Sequence, residues 1–193
     1  MKLRDHRFFF NMIWLIILIT IPLPLIITVD NGLETLSSSS EIMGINFGVF
    51  AYTWMLSAIY LSTQPKWLDR IIGLPDMYII HGVTAVFAVV FMWLHDNMLI
   101  SAGLISLTGD ISLYMFTAIL VYSLVFMAGW LTSRVKFLMT IKKGLEKIFK
   151  HELSMWLHRL NLLATLLIYV HIVLIPYIRN IIPFFTLVTI YTI

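Results

Sequence analysis

Long apolar runs almost free of charge, repeated along the chain, are what most constrains the fold. An α-helix needs about 20 such residues to cross roughly 30 Å of hydrocarbon. Six segments enter consideration as spans: residues 8–29, 44–64, 74–99, 111–133, 154–175 and 180–193. In hydrocarbon every backbone amide must be satisfied internally, and runs of this length achieve that as helices rather than as alternating barrel strands. Hydrophobic residues make up 60% of the 193 positions and charged ones 12%, far from the balance of a soluble domain. The expected fold is therefore all-α, a six-helix transmembrane bundle.

The first run is too long, and lacks the small-residue cleavage site, for a removable signal peptide; Pro22 and Pro24 should bend it. The last run has fourteen residues, only about 21 Å as a helix. Either that helix is short and tilted differently, or the natural protein continues beyond Ile193, which is the expectation adopted.

Lysine and arginine in short loops resist translocation and so set orientation. Lys2, Arg4 and Arg7 precede the first run, Lys66 and Arg70 lie in the 65–73 loop, and Arg134, Lys136, Lys142, Lys143, Lys147 and Lys150 in the 134–153 loop. With Arg159, twelve of the thirteen basic residues fall on one side, leaving Arg179 opposite. Both ends of the chain are then cytoplasmic, in a cell membrane. The other face receives DNGLETLSSSSEIMG, whose serine run reads as a flexible loop, and a second polar loop near Ser101 to Asp110. Between helices four and five, Leu138, Ile141, Leu145 and Ile148 recur at helical spacing among lysines, the pattern of an amphipathic helix on the membrane surface. The net charge of +3 reflects this asymmetry and contact with anionic lipid, and is no argument for nucleic acid.

Four histidines carry the chemistry. HGVTAVFAVVFMWLH places His81 and His95 on the third helix, and HRLNLLATLLIYVH places His158 and His171 on the fifth. Those helices run in the same direction, so His81 and His158 share one depth and His95 and His171 another. An imidazole in the membrane is costly and marks a site more often than packing. The chain has no cysteine, and no carboxylate lies at these depths to complete a tetrahedral metal site. A haem needs only two axial imidazoles, since its macrocycle supplies the other four nitrogens. Fourteen residues on the third helix span about 21 Å, room for two stacked haems. They also return within about 40° of the same face. The thirteen-residue spacing on the fifth helix misses by about 140°, so either its winding changes locally or its side chains reach round.

Small residues near these positions, Gly82, Ala85, Ala88 and Ala164, would let a flat macrocycle approach, although ordinary helix packing accounts for them equally, as for Gly44 and Gly48. Phe87, Phe91 and Trp93 lie between the two levels; packing is their simpler role. His6 and His151 fall in polar segments and read as solvated.

The two spacings, thirteen residues between His81 and His95 and twelve between His158 and His171 two helices later, resemble the six-helix membrane domain shared by NADPH oxidases and ferric reductases. The resemblance spans essentially the whole chain. It implies an oxidoreductase in which a cytosolic dehydrogenase domain, binding FAD and NAD(P)H, docks near residues 65–73 and 134–153. That domain passes electrons through an inner haem on His81 and His158 and an outer haem on His95 and His171. The acceptor outside would be oxygen, giving superoxide, or ferric iron. Three features depart from the pattern. No Gly-rich nucleotide loop is present, so the dehydrogenase would lie beyond these residues or on another chain. Leu99 stands where the oxidases carry a further histidine, and no arginine lies in the outer halves of the first two helices. Arg159, beside His158, is expected to meet a haem propionate; Arg179, just outside His171, is either a propionate or acceptor contact or an interfacial anchor. Asp96 and Asn97 either shape the acceptor site or end the third helix. Two alternatives share the histidines: a stand-alone haem subunit fed by a separate flavoprotein or quinol, and a haem-free proton or metal transporter.

Overall fold

A computed structural model describes residues 7–33, 38–126 and 151–193. The described residues form helices and no strands: α1 (Arg7–Thr20), α2 (Leu23–Leu33), α3 (Ser39–Ser62), α4 (Lys66–Ile72), α5 (Leu74–Met98), α6 (Gly103–Phe126), α7 (His151–Leu174), α8 (Pro176–Arg179) and α9 (Ile182–Thr192). Four stretches are long and apolar enough to cross a membrane, Met12–Leu33, Ser39–Ser62, Leu74–Met98 and Gly103–Leu124, while the apolar helices Arg159–Leu174 and Ile182–Thr192 are shorter. Large apolar side chains stay exposed around the outside, among them Leu15 on α1, Val121 on α6 and Leu162 on α7. Helices apolar on their outer as well as their inner faces suit a lipid surround.

The first span breaks where the prolines stand. Pro22 has no N–H to give the Leu18 carbonyl, and the helix yields to a turn at residues 21–22 between α1 and α2. The Trp54 indole takes over, donating to Leu18 O at 2.8 Å, and the Tyr191 hydroxyl donates to Ile21 O at 2.9 Å. A kink at membrane depth is tolerable because partners such as these satisfy the freed carbonyls.

Two polar stretches taken as loops prove to be helix starts. Ser38 caps α3 in a capping box: its hydroxyl accepts from the Glu41 N–H, and the Glu41 carboxylate accepts from the Ser38 N–H at 2.8 Å. The end of the serine run thus begins α3 rather than remaining loop. Likewise α6 starts at Gly103, eight residues before the expected boundary, so most of the Ser101 to Asp110 loop is helical. Its polar side chains are satisfied locally, Ser106 donating to Asp110 at 2.9 Å and Thr108 to Leu104 O at 2.8 Å. The 65–73 loop likewise contains α4. Residues 127–150, which hold most of the expected amphipathic helix, lie outside the described residues, as does His6.

Two hairpin-like pairs organise the interior. α3 packs along α5, and α6 along α7. Ala51, Met55, Ala88, Met92, Phe116 and Ala164 form the core between the pairs. A second core joins α2, α3, α8 and α9 through Val29, Val49, Ile178 and Val188. Phenols hold α9 in place: Tyr52 bonds Thr192 at 2.7 Å and Tyr169 bonds Thr189 at 3.1 Å.

Candidate functional site

α5 presents two imidazoles to α3 in one repeated geometry. His95 Nδ1 lies 2.9 Å from the Gly44 carbonyl, and His81 Nδ1 lies 2.8 Å from the Ala58 carbonyl. The two histidines are fourteen residues apart, and so are their acceptors. In an antiparallel pair this is one unbroken register seen at two levels about 21 Å apart. His171 repeats the arrangement on the other pair, its Nδ1 lying 2.8 Å from the Ile105 carbonyl of α6. A carbonyl only accepts, so Nδ1 carries the hydrogen in each ring. At His95 and His171, Nε2 then keeps its lone pair for a ligand. Metal-binding histidines characteristically have this tie from the second ring nitrogen to a carbonyl.

His95 and His171 face one another, with ring centroids 6.3 Å apart and planes at 81°. They line a cavity of about 480 Å³ between the two helix pairs, within the usual 300–1,000 Å³ of a small-molecule site. A tetrahedral metal site asks for three or four side-chain donors at one point; among the described residues no such group of His, Cys, Asp or Glu converges, although Asp96 and Asp110 line this same cavity, contrary to the expectation that no carboxylate lies at the depth of these histidines. A haem makes no such demand. An imidazole nitrogen sits about 2 Å from its metal and roughly 1.2 Å from its own ring centre, so two imidazoles binding one metal from opposite sides have centroids about 6.4 Å apart. The observed centroid separation of 6.3 Å agrees with that figure, so in spacing and donor type these residues fit the group.

Glycines make the close approach possible. A Cβ on Gly48 would lie 2.7 Å from His95 Nδ1, and one on Gly109 would lie 3.2 Å from His171 Nδ1. In sequence Gly48 reads as a packing position, and Gly109 carries no signal because its stretch reads as a polar loop. Its polar lining includes Asp96, Ser101, Ser106, Asp110 and Tyr177, and among the described residues no Lys or Arg lines it. Burial pushes the Tyr177 phenol up from its ordinary value, helped by the Glu41 charge, so it stays a neutral hydroxyl. Asn97 folds back to donate to Trp93 O at 2.6 Å, an end-of-helix role, whereas Asp96 belongs to the lining.

The remaining expected site residues fall elsewhere. Arg179 is exposed on α8 and absent from the cavity lining. Arg159 is exposed on α7. His158 lies on α7, its side chain outside the described residues, so the His81 and His158 level is defined from one side only. α7 is continuous α-helix from His151 to Leu174, so the thirteen-residue spacing is not relieved by a change of winding. Between the levels, Phe91 packs on Phe47 at 5.4 Å, Phe50 at 5.6 Å and Trp54 at 5.1 Å, with Phe87 against Trp54 at 6.1 Å. Ala88 and Ala164 are fully buried in the central core, while among the described residues nothing lies within 4 Å of where a Cβ on Gly82 would stand.

No family profile, curated protein or solved structure matches this chain.

Proposed function

We propose that the protein is the membrane part of a transmembrane oxidoreductase of the NADPH oxidase and ferric reductase type. In this reading six helices, with both chain ends cytoplasmic in a cell membrane, hold two b-type haems. His95 and His171 would ligate one, His81 and His158 the other. Electrons would come from a cytosolic dehydrogenase domain carrying FAD and NAD(P)H and leave to an acceptor beyond the His95 and His171 level. When bound, the haems supply one-electron carriers; the chain's own residues do the rest. The Gly44, Ala58 and Ile105 carbonyls orient the imidazoles, and the apolar cores of α3, α5, α6 and α7 exclude water.

The observation that carries this reading is the opposed pair of imidazoles at 6.3 Å, each anchored by Nδ1 to a neighbouring backbone. The cavity adds a preference among acceptors. With Asp96 and Asp110 and, among the described residues, no basic side chain in its lining, it favours a neutral or cationic acceptor, molecular oxygen or a cationic ferric species, over an anionic chelate.

The test is a dithionite-reduced minus oxidised spectrum of the purified protein, expressed with ample haem supply, with haem extracted and counted per chain. Two low-spin b-type haems per chain are expected. A colourless protein would sink the proposal and bring a haem-free transporter forward.

A further inference from the structure

His95 and His171 meet their neighbouring helices in the same way. In each case the accepting carbonyl lies four residues before a glycine, Gly44 before Gly48 on α3 and Ile105 before Gly109 on α6. This offset has a physical cause. A helix carbonyl already accepts from the N–H four residues on, and its second lone pair is open only if nothing covers it. Helical side chains lean back over the preceding turn, so the residue that covers that lone pair is the one four positions later. A small residue there crowds it least, and glycine also makes room for a flat ring.

Resting on the haem reading above, we infer that Gly48 and Gly109 are positioning residues for this imidazole pair: each seats one ring flat against its helix, beside the carbonyl that fixes the ring's rotation. The consequence is the angle between the rings. Each plane is set by its own carbonyl on its own helix, and the two carbonyls hold the planes 81° apart. Neither ring is free to turn without losing its Nδ1 bond.

The two glycines are not equally tight. At Gly48 a Cβ would come within 2.7 Å of Nδ1 and 2.9 Å of Cε1, closer than such atoms approach, so alanine must displace His95. At Gly109 the corresponding distances are 3.2 Å to both Cε1 and Nδ1, and a shift of a few tenths of an ångström suffices. His81 bonds Ala58, where the residue four positions later is Ser62 at the end of α3. That level does without the glycine, which makes it an internal reference.

Axial planes near perpendicular leave two iron d orbitals almost degenerate, which gives a ferric low-spin haem a strongly anisotropic EPR signal with one large g value. Parallel planes give a compact three-line spectrum instead. The experiment is low-temperature EPR and a redox titration of the full chain in lipid nanodiscs, comparing wild type, Gly109→Ala and Gly48→Ala. His95→Leu identifies which signal belongs to this level. Gly109→Ala should retain two haems while its assigned signal moves towards the three-line form and the midpoint potential of that haem alone shifts. Gly48→Ala should lower haem content from two per chain towards one. If Gly48→Ala fails to fold, Gly109→Ala alone decides. Two haems with an unchanged EPR spectrum and unchanged potentials in Gly109→Ala would overturn the inference while leaving the haem reading intact. A wild-type protein without haem would overturn that reading itself.

Discussion

Among the described residues, two of the cavities are nearly equal in size and unlike in chemistry. One, about 480 Å³, lies between the α3/α5 and α6/α7 pairs and is lined by His95, His171, two glycines and two aspartates. The other, about 510 Å³, lies among α1, α3 and α4, lined by apolar and aromatic side chains such as Ile13, Trp14 and Trp67. Among the described residues no histidine or carboxylate lines the second, and its hydroxyls on Thr53 and Ser57 are turned back onto their own helix. Volume alone therefore says little about function. What separates the two is whether opposing side chains offer lone pairs across a gap of the right width.

The comparison breaks most easily at the histidines. On the proposed reading, His171→Leu should take the haem content from two per chain to one. Ser57→Leu, which narrows the second cavity, should leave haem content and spectrum unchanged. Haem extraction from both variants checks the pair, and haem loss in Ser57→Leu would show that the second cavity matters to the first. A smaller effect separates acceptors by charge. At low ionic strength the reduced protein should pass electrons to a cationic metal complex about tenfold faster than to an anionic one of similar potential, and added salt should close the gap. Asp96→Asn combined with Asp110→Asn should close it without salt, as stopped-flow oxidation would reveal.

Two predictions sharpen the contrast on the structural side. Trp54→Phe leaves the Leu18 carbonyl at the proline break without its donor, which should cost about 1–2 kcal/mol and lower the thermal midpoint while both haems remain bound. Tyr52→Phe, removing the bond to Thr192, should cost about 0.6 kcal/mol, the usual size for such bonds in membrane proteins. Denaturant titration in mixed micelles would measure the difference, and a larger loss for Tyr52→Phe would mean that α9 is held chiefly by that one bond.

Much of the fold was legible from residues 74–98. Leu74, Pro75 and Gly73 at its start and Asn97 near its end bound α5 almost where the apolar run does. The break at Pro22 was equally legible, because a missing N–H is a local fact. The starts of α3 and α6 were not. Serines and Asp110 look like loop residues until Ser38 is seen bonded to Glu41, and Ser106 to Asp110, inside a helical turn. At the site, His81 and His95 announced themselves by spacing, and Gly109 did not. Its role exists only because His171, sixty-two residues later, leans on it.

By itself the sequence determined that this chain is helical, with spans of membrane length and imidazoles recurring at two depths. Those follow from local rules: a backbone in hydrocarbon must bond within its own segment, and helical rise per residue is constant. Only the tertiary structure decided which carbonyl each ring meets, that His95 and His171 stand 6.3 Å apart, and that a glycine lies behind each. These depend on how far each helix slides and rotates against a partner distant in sequence, and side-chain packing across every interface settles that, not any one segment.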